Sequence, residues 1–156
     1  MKKSVRGKII LMIVSVLVFA AVFTACGKST GGAMSVDDYK DKASDFYDKL
    51  QDYDKKITSI DSKDKGATDE LLQILDDMNK DFQEFGALEP PKEIPDAKEH
   101  AQNAAKLMDT AVTYFHHALA DEETNTDALA NARLNYSNAI IEVKNVGIAL
   151  QNSGAE

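Results

Sequence analysis

The stretch Ser35–Ile60, SVDDYKDKASDFYDKLQDYDKKITSI, decides the fold class. Its apolar residues recur at alternating spacings of three and four, which is the heptad pattern of an amphipathic α-helix. Ser35 followed three positions later by Asp38 is a weak form of capping box. We therefore predict a helix over about 35–61 with one apolar face. The residues of this face, its core seam, are Val36, Tyr39, Ala43, Phe46, Leu50, Tyr53, Ile57 and Ile60.

Three further segments, about 68–86, 95–120 and 126–152, repeat the heptad spacing and predict three more helices. We expect Thr68 and Thr126 to be N-caps, Pro95 to be a first helical residue and Gly86 to end its helix at C′. The core seams are Leu71, Leu75, Met78, Phe82 and Phe85; then Ala97, Ala101, Ala104, Met108, Ala111, Phe115 and Ala118; then Leu129, Ala132, Tyr136, Ala139, Val143, Val146 and Leu150.

Short connections between amphipathic helices favour antiparallel neighbours. We therefore predict an all-α protein, an antiparallel up-down-up-down four-helix bundle over residues 35–152, with a frayed tail at 153–156. The alternative is a three-helix core with the short second helix lying loosely on its edge. Residues 87–94, ALEPPKEI, are expected to form an extended strap because their prolines oppose helix.

The residues ahead of the bundle have the order of an export signal. Basic residues at positions 2, 3, 6 and 8 precede an uncharged apolar run, Ile9–Ala25. The stretch Phe23-Thr24-Ala25-Cys26 resembles the lipobox of bacterial lipoproteins and contains the chain's one cysteine. This resemblance implies a cleaved lipoprotein signal peptide at 1–25, diacylglycerol on the Cys26 thiol and a flexible tether at 26–34. It places the protein on the extracytoplasmic face of the cell membrane. The alternative is an uncleaved membrane anchor.

The charge balance excludes one class of partner. The full chain has a net charge of −8, and removal of residues 1–25 takes away four basic and no acidic residues, which leaves −12. A surface this acidic repels nucleic acid. We therefore expect no nucleic-acid binding.

The candidates for chemistry are few. His116, His117 and Asp121 are weak metal candidates near the end of the third predicted helix, and Glu122 and Glu123 follow them. Consecutive histidines diverge by about 100° around a helix, and a metal site needs three or four converging ligands. His100 is expected to pair with Asp96 one turn earlier. No nucleophile motif is present, so we expect no enzyme and no cofactor. A small-ligand or metal-binding bundle using this end is the alternative function.

The fourth predicted helix carries an apolar stripe on the face opposite its core seam. Leu134, Ile141 and Ile148 repeat every seven residues there. A column of asparagines with the same spacing lies beside them: Asn131, Asn138, Asn145 and Asn152. Such a stripe marks a partner site, burial under the tether or strap, or idle surface. We predict a membrane-anchored, non-enzymatic binding module of the cell envelope, whose partner site is Leu134, Ile141 and Ile148 with Asn138 and Asn145. The partner would be an envelope protein or a second copy.

Overall fold

The computed structural model describes residues 34–121 and 123–153. They form four helices: α1 (Val36–Ser59), α2 (Ala67–Gly86), α3 (Asp96–Leu119) and α4 (Thr126–Asn152). The described residues contain no strand. The predicted all-α four-helix bundle is confirmed. The expected signal peptide, Cys26, the tether up to residue 33, Glu122 and residues 154–156 lie outside the described residues.

The helix starts agree with the sequence to within one residue, although three end residues differ. Pro95 is the N-cap of α3 and not its first helical residue. Ser35 caps α1, because its Oγ accepts the Asp38 N–H at 3.1 Å and Asp38 in turn accepts from the Ser35 N–H at 3.3 Å. Asn125, rather than Thr126, caps α4 by accepting the Ala128 N–H at 3.0 Å. The expected Thr68 cap is wrong, since α2 begins at Ala67 without any side-chain cap.

The core follows the four predicted seams. Every seam residue of α2, α3 and α4 is buried, and on α1 only Val36 and Tyr53 are partly exposed. Tyr47 is buried as well, although it lies outside the predicted seam. Its hydroxyl donates to the Val143 carbonyl oxygen at 3.0 Å, so it joins α1 to α4. The bundle is therefore closed, and α2 is part of the core rather than loose on its edge.

The helices approach each other unevenly. α3 and α4 approach most closely, because five of the seven seam residues of α3 are alanines and add little side-chain volume between the backbones. Aromatic rings instead fill the contact between α1 and α2. The Phe46 ring stacks on Phe85 with 4.4 Å between centroids and meets Phe82 edge to face at 5.0 Å. One half of the bundle is tight and the other is wide.

Gly86 is the last residue of α2 and not a C′ residue beyond it. A Cβ built at this position would lie 2.8 Å from the Ala105 Cβ and 3.1 Å from the Ala101 carbonyl oxygen. The glycine therefore lets the end of α2 contact the backbone of α3. After it, the proline strap (residues 87–94) places Ile94 in the core and leads into α3.

Candidate interaction surface on the fourth helix

Three aliphatic side chains form an apolar ridge on the outer face of α4. Leu134, Ile141 and Ile148 are 59%, 49% and 53% exposed. They are the large hydrophobic side chains left exposed in the part of the chain that the structure describes. α4 therefore has two apolar faces, one in the core and one facing solvent.

Asparagines border the ridge on the side that faces α3. Asn131 Nδ2 donates to the Asp127 carbonyl oxygen at 3.0 Å, one turn earlier on the same helix. Asn138 and Asn145 are partly exposed, and Asn145 Nδ2 lies 3.4 Å from Glu142 Oε2. Each of these amides has further donor and acceptor capacity beyond the contacts just given.

A groove between α3 and α4 adjoins the C-terminal end of the ridge. Its volume is about 250 Å³, and its lining residues are Asp96, His100, Asn145, Ile148, Ala149 and Asn152. A second cavity of about 370 Å³ shares Asp96, Ala149 and Asn152 and extends under the proline strap. Sequence reasoning missed this groove, because its two walls come from segments about 50 residues apart. A charged and polar recess therefore continues from the ridge.

His100 crosses between helices instead of pairing along its own helix. Its Nδ1 lies 2.6 Å from Glu142 Oε2 on α4. The expected pair with Asp96 is therefore not the contact that forms. The His100–Glu142 contact fixes one edge of the groove next to Asn145.

The metal candidates do not converge. His116 Nε2 contacts Asp76 Oδ1 of α2 at 2.8 Å, whereas His117 and Asp121 are exposed. Residues 34–121 and 123–153 contain no group of three His, Cys, Asp or Glu side chains placed to hold one metal ion. Glu122 lies outside the described residues, and Glu123 is exposed.

The proline strap does not cover the ridge. The strap packs Ile94 into the core, and the ridge side chains remain about half exposed beside it. Met34, the last residue of the predicted tether, packs against the core. The sequence suggested burial of the ridge under either the strap or the tether. Burial under the strap is wrong, and the tether up to residue 33 lies outside the described residues.

A third groove, between α1 and α2, is organised by Asp81. One of its carboxylate oxygens accepts from Lys49 Nζ and the other from the Tyr53 hydroxyl at 2.7 Å. Burial and the bond to Asp81 raise the pKa of Tyr53 above its usual value. The groove has a volume of about 230 Å³. Both oxygens of Asp81 are thus engaged within the protein, and its contact with Lys49 is an ion pair between α1 and α2.

The charges of the helices differ sharply. α4 has two acidic residues, Asp127 and Glu142, and two basic residues, Arg133 and Lys144. α2 has six acidic residues and one basic residue. The ridge therefore lies on an electrically balanced helix of a strongly acidic protein.

Comparison with known proteins gives one match. The model of a family of unknown function, DUF6376, matches residues 36–148. The match spans more than half of the chain, from the start of α1 to the last ridge residue. No curated protein and no solved structure matches the chain. None of the described helices is long and apolar enough to cross a bilayer.

Proposed function

The chain belongs to the family of unknown function DUF6376, and we propose that it is a membrane-anchored extracytoplasmic lipoprotein acting as a non-enzymatic binding module. In this function Cys26 carries the lipid and the apolar ridge of α4 is the binding surface. The bundle between them is a rigid support.

The exposed ridge is the observation that carries the proposal. Isolated exposed apolar residues are ordinary on protein surfaces, but an aligned set on one face marks an interaction site. Leu134, Ile141 and Ile148 lie on one line about 21 Å long. α4 already packs in the core through its opposite face, so the ridge is not needed to hold the bundle together.

The polar groups of the described residues support binding rather than catalysis. His100 and His116 are each engaged by a carboxylate on a neighbouring helix. Burial raises the pKa of the Tyr39 hydroxyl to about 12 and raises that of Tyr136 further, which disfavours their ionised, nucleophilic forms. The two histidines thus join neighbouring helices.

Replacing Ile141 by Lys tests the binding surface. Because the side chain is 49% exposed, the purified protein should keep its Tm, while association through the ridge should be lost. Gln51→Lys, an exposed position on α1 with the same charge change, is the matched control and should change neither property. A large loss of stability in Ile141→Lys alone would show that the tether covers the ridge. No change in either property would show that the ridge is idle surface.

Replacing Cys26 by Ala tests the anchor. Labelling of the cells with radioactive palmitate should tag the wild-type chain and a Ser29→Ala control, and the Cys26→Ala variant should remain unlabelled. The variant should also keep its signal peptide or be released from the membrane. Normal labelling and cleavage of Cys26→Ala would overturn the lipoprotein assignment.

A further inference from the structure

We infer that the partner of the apolar ridge is a second copy of this chain, joined through α4 as a parallel two-stranded coiled coil. This inference rests on the proposed binding role of the ridge and names its partner. Three properties of α4 lead to it.

The first property is the order of residues on the outer face of α4. The asparagine column and the ridge alternate as Asn131, Leu134, Asn138, Ile141, Asn145, Ile148 and Asn152, at spacings of three and four. This is a complete heptad seam, with asparagine at each a position and an aliphatic residue at each d position. It lies opposite the core seam of the same helix, so α4 has one seam inside the bundle and a second one outside it.

The second property is the chemistry of the a positions. In a parallel pair, each a residue faces the same residue of the other helix. An asparagine amide both donates and accepts, so two facing asparagines satisfy each other. Asn131 and Asn145 each use one amide hydrogen within α4. A partner with an ordinary apolar face would leave the remaining donors and acceptors of the asparagine column without hydrogen bonds at a dry contact, which is unfavourable. A second copy supplies the matching amide at every layer, and a two-fold axis makes this complementarity automatic.

The third property is charge. Two copies of the chain without residues 1–25, each with 14 basic and 26 acidic residues and so a net charge of −12, repel each other, and most strongly where acidic residues cluster, as on α2. α4 is balanced, so contact through it avoids this repulsion. The residues that flank the outer seam are mostly uncharged: Asn135, Ser137, Glu142, Lys144, Ala149 and Gln151. Glu142 among them is already engaged by His100.

The parallel orientation agrees with the anchor of the proposed function. Two copies held on one membrane by their N-terminal tethers have both tethers at the same end of the pair. An antiparallel pair would place one of them at the far end of α4. Asparagine at the a positions also weakens the parallel pair while it fixes the register of the two helices. We therefore expect association to depend on the high effective concentration that a shared membrane provides.

Photocrosslinking of the full chain in its membrane tests the identity of the partner. Ile141 is replaced by the photoreactive residue p-benzoylphenylalanine, which its exposed position accommodates without entering the core. Irradiation should give an adduct at twice the mass of the chain, and the same replacement at Gln51 on α1 should give only background.

The other outcomes separate this inference from the proposed function. An adduct with a different protein would overturn the inference that the partner is a second copy, and it would leave the proposed binding role intact. An adduct within a single chain, or none at all, would overturn both.

Single cysteines test the orientation. A parallel pair predicts that oxidised Leu134→Cys and Ile148→Cys chains each form dimers with themselves. Asp48→Cys, which is exposed on α1, should not. Disulfide formation only between Leu134→Cys and Ile148→Cys chains mixed together would show an antiparallel pair and overturn the parallel one. Dimers of the wild-type chain would reveal a free Cys26 thiol and contradict the lipid anchor.

Discussion

The contact between Gly86 and α3 leads to a prediction in which two effects have opposite signs. Gly86→Ala should stabilise a helix by up to about 1 kcal/mol through propensity alone, and by less at a helix end. The added methyl group, however, would lie 2.8 Å from the Ala105 Cβ and 3.1 Å from the Ala101 carbonyl oxygen. Neither neighbouring atom can rotate away, because one is a Cβ fixed to the backbone and the other belongs to the backbone.

The steric effect should therefore dominate. Overpacking of this kind costs about 1–3 kcal/mol, because the helices must separate or the end of α2 must shift. After subtraction of the propensity gain, we expect Gly86→Ala to lower the free energy of unfolding by about 1–2 kcal/mol. For a domain of this size that corresponds to a fall in Tm of roughly 3–12 °C.

Urea unfolding followed by circular dichroism at 222 nm measures the effect, and two comparisons identify its cause. Gly66→Ala is the control, since a Cβ there meets only Asp64 Oδ1 at 3.8 Å, and stability should change by no more than about 0.5 kcal/mol. Ala105→Gly removes the opposing methyl group, so Gly86→Ala should cost less in that background. A rise in stability on Gly86→Ala would refute the close approach of α2 and α3.

Two further predictions concern the core. Leu50→Ala should cost about 2–5 kcal/mol in unfolding free energy, because the side chain is 1% exposed, whereas exposed Asp48→Ala should change it by no more than about 0.5 kcal/mol. Equal effects would mean that the buried face of α1 is misassigned. Tyr47→Phe should cost about 1 kcal/mol through loss of the bond to Val143, while Tyr39→Phe should cost nothing, since the buried Tyr39 hydroxyl has no hydrogen-bond partner. Burial raises the pKa of Tyr39 from 10.0 to about 12, so the unfolded chain loses this proton more readily than the folded one, and the free energy of unfolding falls as the pH rises from 10 towards 12. The urea midpoint should fall in that window, and less steeply in Tyr39→Phe; an unchanged slope would show that Tyr39 does not titrate there.

Much of the fold could be predicted from the sequence because heptad spacing reports directly on burial. Prediction of the core seams required only the identity and order of the residues along each helix. The wrong expectations depend instead on neighbouring helices. Gly86 matches the pattern of a helix terminator, yet its absent side chain serves a contact with α3, which no local pattern reveals.

The contacts of the histidines depend on neighbouring helices in the same way. His100 was expected to pair with Asp96 on its own helix, but it contacts Glu142 on α4, and His116 contacts Asp76 on α2. The spacing of residues along one helix does not reveal such contacts. The groove beside the ridge escaped detection likewise, since its walls meet only when α3 and α4 pack. The ridge was predictable because it needs nothing beyond the periodicity of α4.

The uneven spacing of the helices has a consequence for local unfolding. Helices that approach closely, as α3 and α4 do through their alanines, have amide groups that exchange slowly with solvent, since many contacts must break together. α1 makes the fewest close backbone approaches, so we expect it to open at the lowest free energy. If α1 detaches while α4 stays docked on α3, Leu134, Ile141 and Ile148 keep their alignment. The proposed binding surface would then belong to the last part of the molecule to unfold, and it would persist through the fluctuations of the rest.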